Sequence, residues 1–396
     1  MTSAPNEDAL TERTATRERP LTGSARRAPE PSVVPVRVCL AGPSMDILGG
    51  QAVQLARLHH RLLGTPGIEV GFLSMNPRLP GPLGALQRVK YVRTIVTSIG
   101  YWFLLLSRVR KFDVVHAFSP SYWAFLLGPV PAMLVARLFG RAALLNYHSG
   151  EAEDHLANWR SAIPLSRLAD RIVVPSGYLR EVFARFGLET IAIHNFIDAD
   201  AFPYRERSTV RPVFLSNRNF EVHYNVSCSI RAFALVQERI PEATLTVAGY
   251  GRERGKLEAL VRSLNLRNVT FTGRVPPDEM ARLLNDADIL LNSPDIDNMP
   301  LSLIEAQAAG VPVVSTSTGG IPWIVKDGDT GLLVPPGDHD ALARASLRLL
   351  EEPGLALRLT RAARAACLER YTWPAVRDEW VHLYRDMAAH RATAPA

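Results

Sequence analysis

A chain of 396 residues, 47% hydrophobic and 21% charged, is long enough to bury about two full cores and too apolar for a disordered or fibrous protein. Its three cysteines, Cys39, Cys228 and Cys367, stand far apart with no C-x-x-C spacing, which excludes a disulfide framework and a zinc module and points to a reducing compartment. The net charge of +6 is uneven: Lys and Arg outnumber Asp and Glu by 18 to 11 over residues 31–205, whereas residues 206–396 hold 22 against 23.

Residues 1–33 mix five Arg with five acids among Pro, Ser, Thr and Ala. Lacking an apolar stretch, they read as a disordered tail and not as a secretion signal. VRVCLAG (36–42) predicts the first strand, followed by a loop with Gly49 and Gly50 and by the helically spaced QAVQLARLHHRLL (51–63). A strand, a glycine turn and a helix start form a weak phosphate-site signal, in which Gly50 lets the backbone approach a ligand; a simple tight turn is the plainer alternative. Strand-like runs then alternate with helical ones, at IEVGFLSM (68–75), DVVHAF (113–118), AALLNYH (142–148), RIVVPS (171–176) and TIAIHNF (190–196). That rhythm predicts an α/β protein with a parallel sheet and crossover helices. YWAFLLGPVPAMLVARLFG (122–140) is apolar, yet Gly128, Pro129, Pro131 and Arg137 predict an interrupted buried helix rather than a membrane span.

Residues 70–112 contain no acid but hold Arg78, Arg88, Lys90, Arg93, Arg108, Arg110 and Lys111 around the apolar run IVTSIGYWFLLL (95–106). That run is too short for a bilayer, which needs about 20 residues. Residues 85–111 therefore read either as a buried helix flanked by solvated arginines or as a surface for an anionic membrane. Nucleic acid is disfavoured as a partner, because the charge adjoins a continuous apolar run and not spaced stacking aromatics.

After the polar DADAFPYRERSTVRP (198–212) the pattern restarts, with strands predicted at 212–217, 243–249, 268–273, 287–293, 311–317 and 331–335. The expected organisation is one Rossmann-like domain over 34–205, a second over 206–372, and a last helix, 373–390, returning to the first. Ligands of such doubly wound sheets bind beyond the carboxyl ends of strands, where Asn195, Arg218 and Asp297 fall.

The densest chemistry lies in DNMPLSLIEAQAAGVPVVSTST (297–318). Asn298 and Pro300 predict a helix start near Met299, and Gly310 and Pro312 a stop, so Asp297 precedes the helix and Glu305 lies two turns along it. The amides of Met299, Leu301 and Ser302 then carry the positive end of the helix dipole and suit a phosphate. Carboxylate, amides, carboxylate is an order expected for a nucleotide-sugar, whose hydroxyls the acids would accept. Taken alone, a D-x7-E spacing is more often an N-cap and a solvated helix position.

The same stretch resembles the E-x7-E signature of the retaining glycosyltransferases of family 4, the glycosyl transferases group 1, with Asp297 in place of the first Glu and Glu305 as the second. VAGYG (247–251), FTGRVPPDEMARLLNDADILLNS (271–293) and TGGIPWIVKDGDTGLLVPPGD (318–338) are similar to neighbouring segments of that family; the likeness covers 210–385 well and 36–200 loosely. It implies the GT-B fold, two Rossmann-like doubly wound parallel-sheet domains facing across a cleft, and transfer of a sugar from a nucleotide diphosphate with retention and without a metal or other cofactor. It further implies that His148, Asp297 and Arg218 are catalytic. Gly50, Arg218, His223 and Gly249 would hold the donor diphosphate, Gly273, Arg274 and Val275 its base, and Met299, Pro300, Leu301, Ser302 and Glu305 its phosphate and ribose.

One departure stands out: the family places a Lys five residues after the Arg, and this chain has His223. A Lys keeps its charge at neutral pH, whereas an unperturbed imidazole is mostly neutral there. The acid-rich Glu151, Glu153, Asp154 and His155 read as a hydrated acceptor-side loop and not as a metal site. A cytoplasmic enzyme is expected, peripheral at the inner face of a membrane if its acceptor is a lipid-linked or cell-envelope glycan. Two alternatives stay open: a sugar-nucleotide epimerase on the same framework, and a non-catalytic scaffold that binds nucleotide-sugar or membrane.

Overall fold

A computed structural model describes residues 34–45 and 49–393; the tail expected at 1–33 lies outside them. The first half is a parallel sheet of β1 (Val36–Gly42), β2 (Ile68–Ser74), β3 (Val114–Ser119), β4 (Ala142–Tyr147), β5 (Arg171–Val174) and β6 (Ile191–Ala192), in the order β2-β1-β3-β4-β5-β6. Alternation along β1 sends Val38 and Leu40 to one face and Cys39 and Ala41 to the other. On the first face they meet Leu55, Leu58 and Leu62 of helix α1 (Gly50–Leu63). On the second they meet Tyr101 and Leu105 of α2 (Val92–Arg108). Each such buried leucine contributes about 1.5–3 kcal/mol.

The second half holds β7 (Val213–Ser216), β8 (Thr244–Ala248), β9 (Val269–Gly273), β10 (Ile289–Asn292), β11 (Val313–Thr316) and β12 (Leu332–Val334), again parallel, ordered β12-β11-β10-β7-β8-β9. Helix α3 (Leu301–Ala309) is apolar almost all round, and Leu303, Ile304, Ala306 and Ala308 are fully buried between this sheet and helix 355–370. The last helix, α4 (Trp373–Thr393), lays Trp380, Leu383, Tyr384 and Met387 back onto the first sheet beside α1. Tyr384 Oη bonds the buried His116 ring at 2.8 Å.

One sequence expectation shifts. The change of half expected at 205/206 comes earlier: Phe202 is already in the second core, and the Arg205 and Arg207 guanidiniums donate to carbonyls of residues 284–310. The polar look of 198–212 therefore reflects charges aimed at helix and strand ends, not a free linker. The chain crosses at Ile197, whose N–H donates to Tyr371 O at 2.8 Å, next to the return crossing. Helix α3 starts at Leu301, two residues past Met299 and so close to the expected start, with Pro300 in the N-cap position. The interruption expected in 122–140 is present: two helices, 122–127 and 129–138, meet at Gly128. Among the described residues no helix is long and apolar enough to cross a membrane.

In each sheet the order reverses at one place, between β1 and β3 in the first and between β7 and β10 in the second. Loops leaving such switch points diverge and leave a crevice. The two crevices face a common cavity.

Candidate functional site

Arg218 follows β7 and is held from three sides. Its guanidinium lies 3.9 Å from the centre of the Tyr224 ring, pairs with the Asp297 carboxylate, and donates through Nη1 to Ser302 Oγ at 3.2 Å. Asp297 follows β10, and its Oδ1 accepts the Asn298 N–H at 2.8 Å. Burial raises the Asp297 pKa above the usual carboxylate range, against the opposing charge of Arg218. Two glycines set these positions. A Cβ on Gly249 would stand 2.3 Å from Arg218 O, and one on Gly319, where φ is +51°, would stand 2.0 Å from Asp297 O. The glycines of VAGYG and TGG thus let neighbouring loops close around the backbone that carries the ion pair.

Glu305 faces the same space from α3 and accepts from Arg57 Nη2 of α1 at 2.9 Å, a contact between the two halves. Burial raises its pKa, opposed by Arg57 and Arg218. A second cross-contact joins Ser176 Oγ, which donates to Asn298 Oδ1, while Asn298 Nδ2 approaches His148 O at 3.5 Å.

The first half contributes less charge. His148 follows β4 directly, with its ring stacked on Phe118, centroids 5.4 Å apart, and desolvation lowers its pKa to about 4, so the ring is neutral at physiological pH. Gly49 and Gly50 have no described atom within 4 Å of an added Cβ, so open space lies in front of them.

These groups line one cavity of about 470 Å³. Every residue expected at the site borders it except Gly273, which ends β9 with φ +78° and delivers Arg274 and Val275 to the wall. His223 is there beside Tyr224, ring centroids 4.2 Å apart. Asn195 borders it too. Five lining residues bury a polar atom without a partner: Gln51 Nε2, Arg57 Nη1, His148 Nε2, Asn217 Oδ1 and Arg218 Nε. Buried polar atoms are nearly always paired, so these five leave hydrogen-bonding capacity free at the cavity wall.

The acid cluster behaves differently from its sequence reading. Residues 152–158 form a helix and not a hydrated loop. His155 is fully buried against Tyr147 Oη at 2.7 Å, and Asp154 accepts from Tyr122 Oη at 2.6 Å. Among the described residues no group of three or more His, Cys, Asp or Glu side chains is placed to hold a metal ion.

Residues 200–366 match the family model of glycosyl transferases group 1, and residues 48–201 match that of glycosyltransferase family 4. A glycogen synthase of Mycobacterium tuberculosis is 30% identical over 296 residues, covering 70% of this chain and 69% of its own. The chain is a group 1 glycosyltransferase. A phosphatidyl-myo-inositol mannosyltransferase of Mycobacterium leprae is 27% identical to it across 87% of this chain and 95% of that one. Among solved structures, sucrose-phosphate synthase of Thermosynechococcus elongatus superposes with a TM-score of 0.72 at 22% identity, covering 90% of this chain and all of that one. Anabaena HepE in complex with UDP-glucose gives 0.71 at 16%, covering 88% and 99%. These likenesses establish the GT-B fold of the glycosyltransferase.

Sequence reading missed Arg57, Gln51, Asn217, Tyr224 and Tyr250 as cavity residues of the glycosyltransferase. The available signal was slight. Val53 and Arg57 share one face of α1 shortly after the glycine turn, a face distinct from the apolar stripe of Leu55, Leu58 and Leu62.

Proposed function

We propose that this glycosyltransferase moves a sugar from a nucleoside diphosphate to a hydroxyl of a glycan or lipid-linked acceptor with retention of configuration. The observation that carries this reading is the set of unpartnered donors and acceptors in one cavity together with the ion pair and the start of α3. Arg218 and the first-turn amides of α3, at Leu301 and Ser302, hold the diphosphate, where their preorganised positive ends stabilise the charge that develops on it. Asp297 accepts hydrogen bonds from sugar hydroxyls. Glu305 takes the ribose hydroxyls, with Arg57 moving aside or sharing the carboxylate. Backbone groups of residues 273–275 receive the base.

In the proposed step the acceptor oxygen bonds to the anomeric carbon on the face from which the diphosphate departs. The bond between that carbon and the phosphate oxygen breaks, and the leaving phosphate oxygen takes the acceptor proton. The neutral His148 offers Nε2 to a sugar hydroxyl. Charge neutralisation by Arg218, with His223 alongside, serves in place of a resident metal. Three buried thiols, none in a disulfide, suit a cytoplasmic setting. The M. leprae mannosyltransferase named above supports a lipid-linked acceptor.

Thermal-shift screening against UDP, GDP, ADP and their sugar conjugates tests the donor half of this reading. Ligand at 100 times its dissociation constant adds about 2.7 kcal/mol of stability. One diphosphate is expected to shift the wild type selectively, and Arg218→Ala to lose the shift. Conversion of the sugar-nucleotide to its epimer without acceptor identifies an epimerase instead, and no shift with any diphosphate identifies a non-catalytic scaffold.

A further inference from the structure

Helix α2 has two faces of opposite character. Tyr101, Leu105 and the following Val109 point into the first core, as one helical stripe. Ile95, Ile99, Trp102, Phe103 and Leu106 form a second stripe at helical spacing and are exposed, Ile99 by 65% and Phe103 by 76%. Just before the helix, Leu83, Leu86, Val89 and Tyr91 are exposed as well. Scattered exposed leucines are ordinary, but a continuous stripe of large apolar side chains is not. Around it Arg88, Lys90, Arg93, Arg108, Arg110 and Lys111 are all exposed, and residues 70–112 contain no acid. Helix 129–138, packed against α2, carries no acid either. The nearest acid after the stretch, Asp113, is held by Arg37 and Arg141.

We propose that this face docks the enzyme on an anionic lipid bilayer, with the apolar stripe entering the headgroup boundary and the basic residues meeting lipid phosphates. Charge decides the occupant. A second copy placed on the stripe brings the same cations into opposition, whereas an anionic surface neutralises them, each adding about 1 kcal/mol. The helix lies on the surface and does not cross it, in keeping with its apolar length. Topology then orients the cleft. The link from β2 to α2 leaves the carboxyl edge of the sheet, the edge that also carries Gly50, Ser119 and His148. The start of α2 and the cavity mouth are therefore on the same side, so docking brings the acceptor side of the cleft near lipid headgroups. Only this last consequence rests on the transferase reading; the docking stands on the surface itself.

The test is flotation of the purified full chain with vesicles of phosphatidylcholine alone or mixed with phosphatidylglycerol, at low and high salt. Wild type is expected to float with the anionic vesicles and to lose about tenfold or more in bound fraction with neutral vesicles or high salt. Ile99→Glu with Phe103→Glu, and separately Arg88→Glu with Lys90→Glu and Arg93→Glu, are expected to reduce binding at least as much. All five positions are exposed, so an unchanged thermal midpoint is expected of both variants. Wild type that stays unbound, or variants that float as well as wild type, overturns the proposal. A dimer dispersed by Phe103→Glu, with no vesicle binding, overturns it in favour of a second copy on this face. Flotation without any nucleotide response leaves the docking standing and removes the transferase reading; the converse separates them the other way.

Discussion

The two switch points share one topology and differ in chemistry. In the second half the crevice between β7 and β10 gathers Arg218, Asp297 and Glu305 around the start of α3. In the first half the crevice between β1 and β3 offers Gly49, Gly50, Ser119 and Pro120, with the uncharged His148 alongside just after β4. Strand order alone therefore explains where a ligand sits and not what it is. A charged diphosphate fits the half that supplies fixed cations and amides; a neutral sugar or acceptor fits the half that supplies space and an uncharged ring. Arg57 and Glu151 are the charged exceptions, Arg57 reaching across to Glu305.

The sharpest way to break this contrast is to discharge the second half. Arg218→Ala is expected to lower the transfer rate about 10²–10³-fold, the usual loss for one preorganised donor. Arg218→Lys should recover little, because an ammonium cannot stack on Tyr224 while donating to both Asp297 and Ser302. Steady-state kinetics with the identified donor check both.

A charge cluster away from the cavity provides the control. Burial alone would raise the pKa of Asp288, but hydrogen bonds from Arg211 and Arg205 outweigh it and hold the carboxyl down to about 2. A depressed carboxylate stabilises the fold above its unfolded pKa near 4, and that stabilisation is lost as pH falls from there towards 2. Asp288→Asn is expected to cost about 2 kcal/mol in chemical denaturation at neutral pH, with the bound donor unaffected per folded molecule.

Glu305→Gln should weaken the donor about tenfold in calorimetry, the value of one lost charge-assisted hydrogen bond. Glu305 and Asp297 carry the opposite linkage to Asp288. Their raised pKa values mean that the empty folded protein holds protons the unfolded chain has released, so each lowers stability as pH rises above the ordinary carboxylate range. In the first half, His148 stays neutral down to about pH 4, so its charging contributes nothing to a pH–rate profile between 5 and 8. Below about pH 6.5 the unfolded chain takes up that proton and the folded one does not, so stability falls with falling pH. His148→Gln should make that part of a stability titration shallower, the rest coming from His116 and His155, whose pKa values desolvation also lowers. The smallest effect is expected from His223→Lys, a gain of severalfold in rate, because it places a fixed cation beside the proposed diphosphate position.

Much of the site was legible because its parts are local in sequence. Asp297, the helix start and Glu305 fall within one short segment, so the few residues between them keep both acids near the start of α3. Arg218 was legible as the residue after a strand. Arg57 was not, since its role depends on how α1 of one half approaches α3 of the other. His155 was misread for the same reason: polar in sequence, it is buried because helix 152–158 folds it against Tyr147 and Phe125. The crossing at Ile197 was placed too late because Arg205 and Arg207 look like linker charges until the carbonyls they serve are seen.

The chain's local pattern determined two parallel α/β sheets, since strand and helix periods and the glycines between them are properties of neighbouring residues. It also determined which residues stand at strand ends. Tertiary structure alone decided that both switch points open on one cavity, which of its charges are paired across it, and which face of α2 is left in solvent. Those outcomes depend on contacts between residues far apart in sequence, and no local period encodes them.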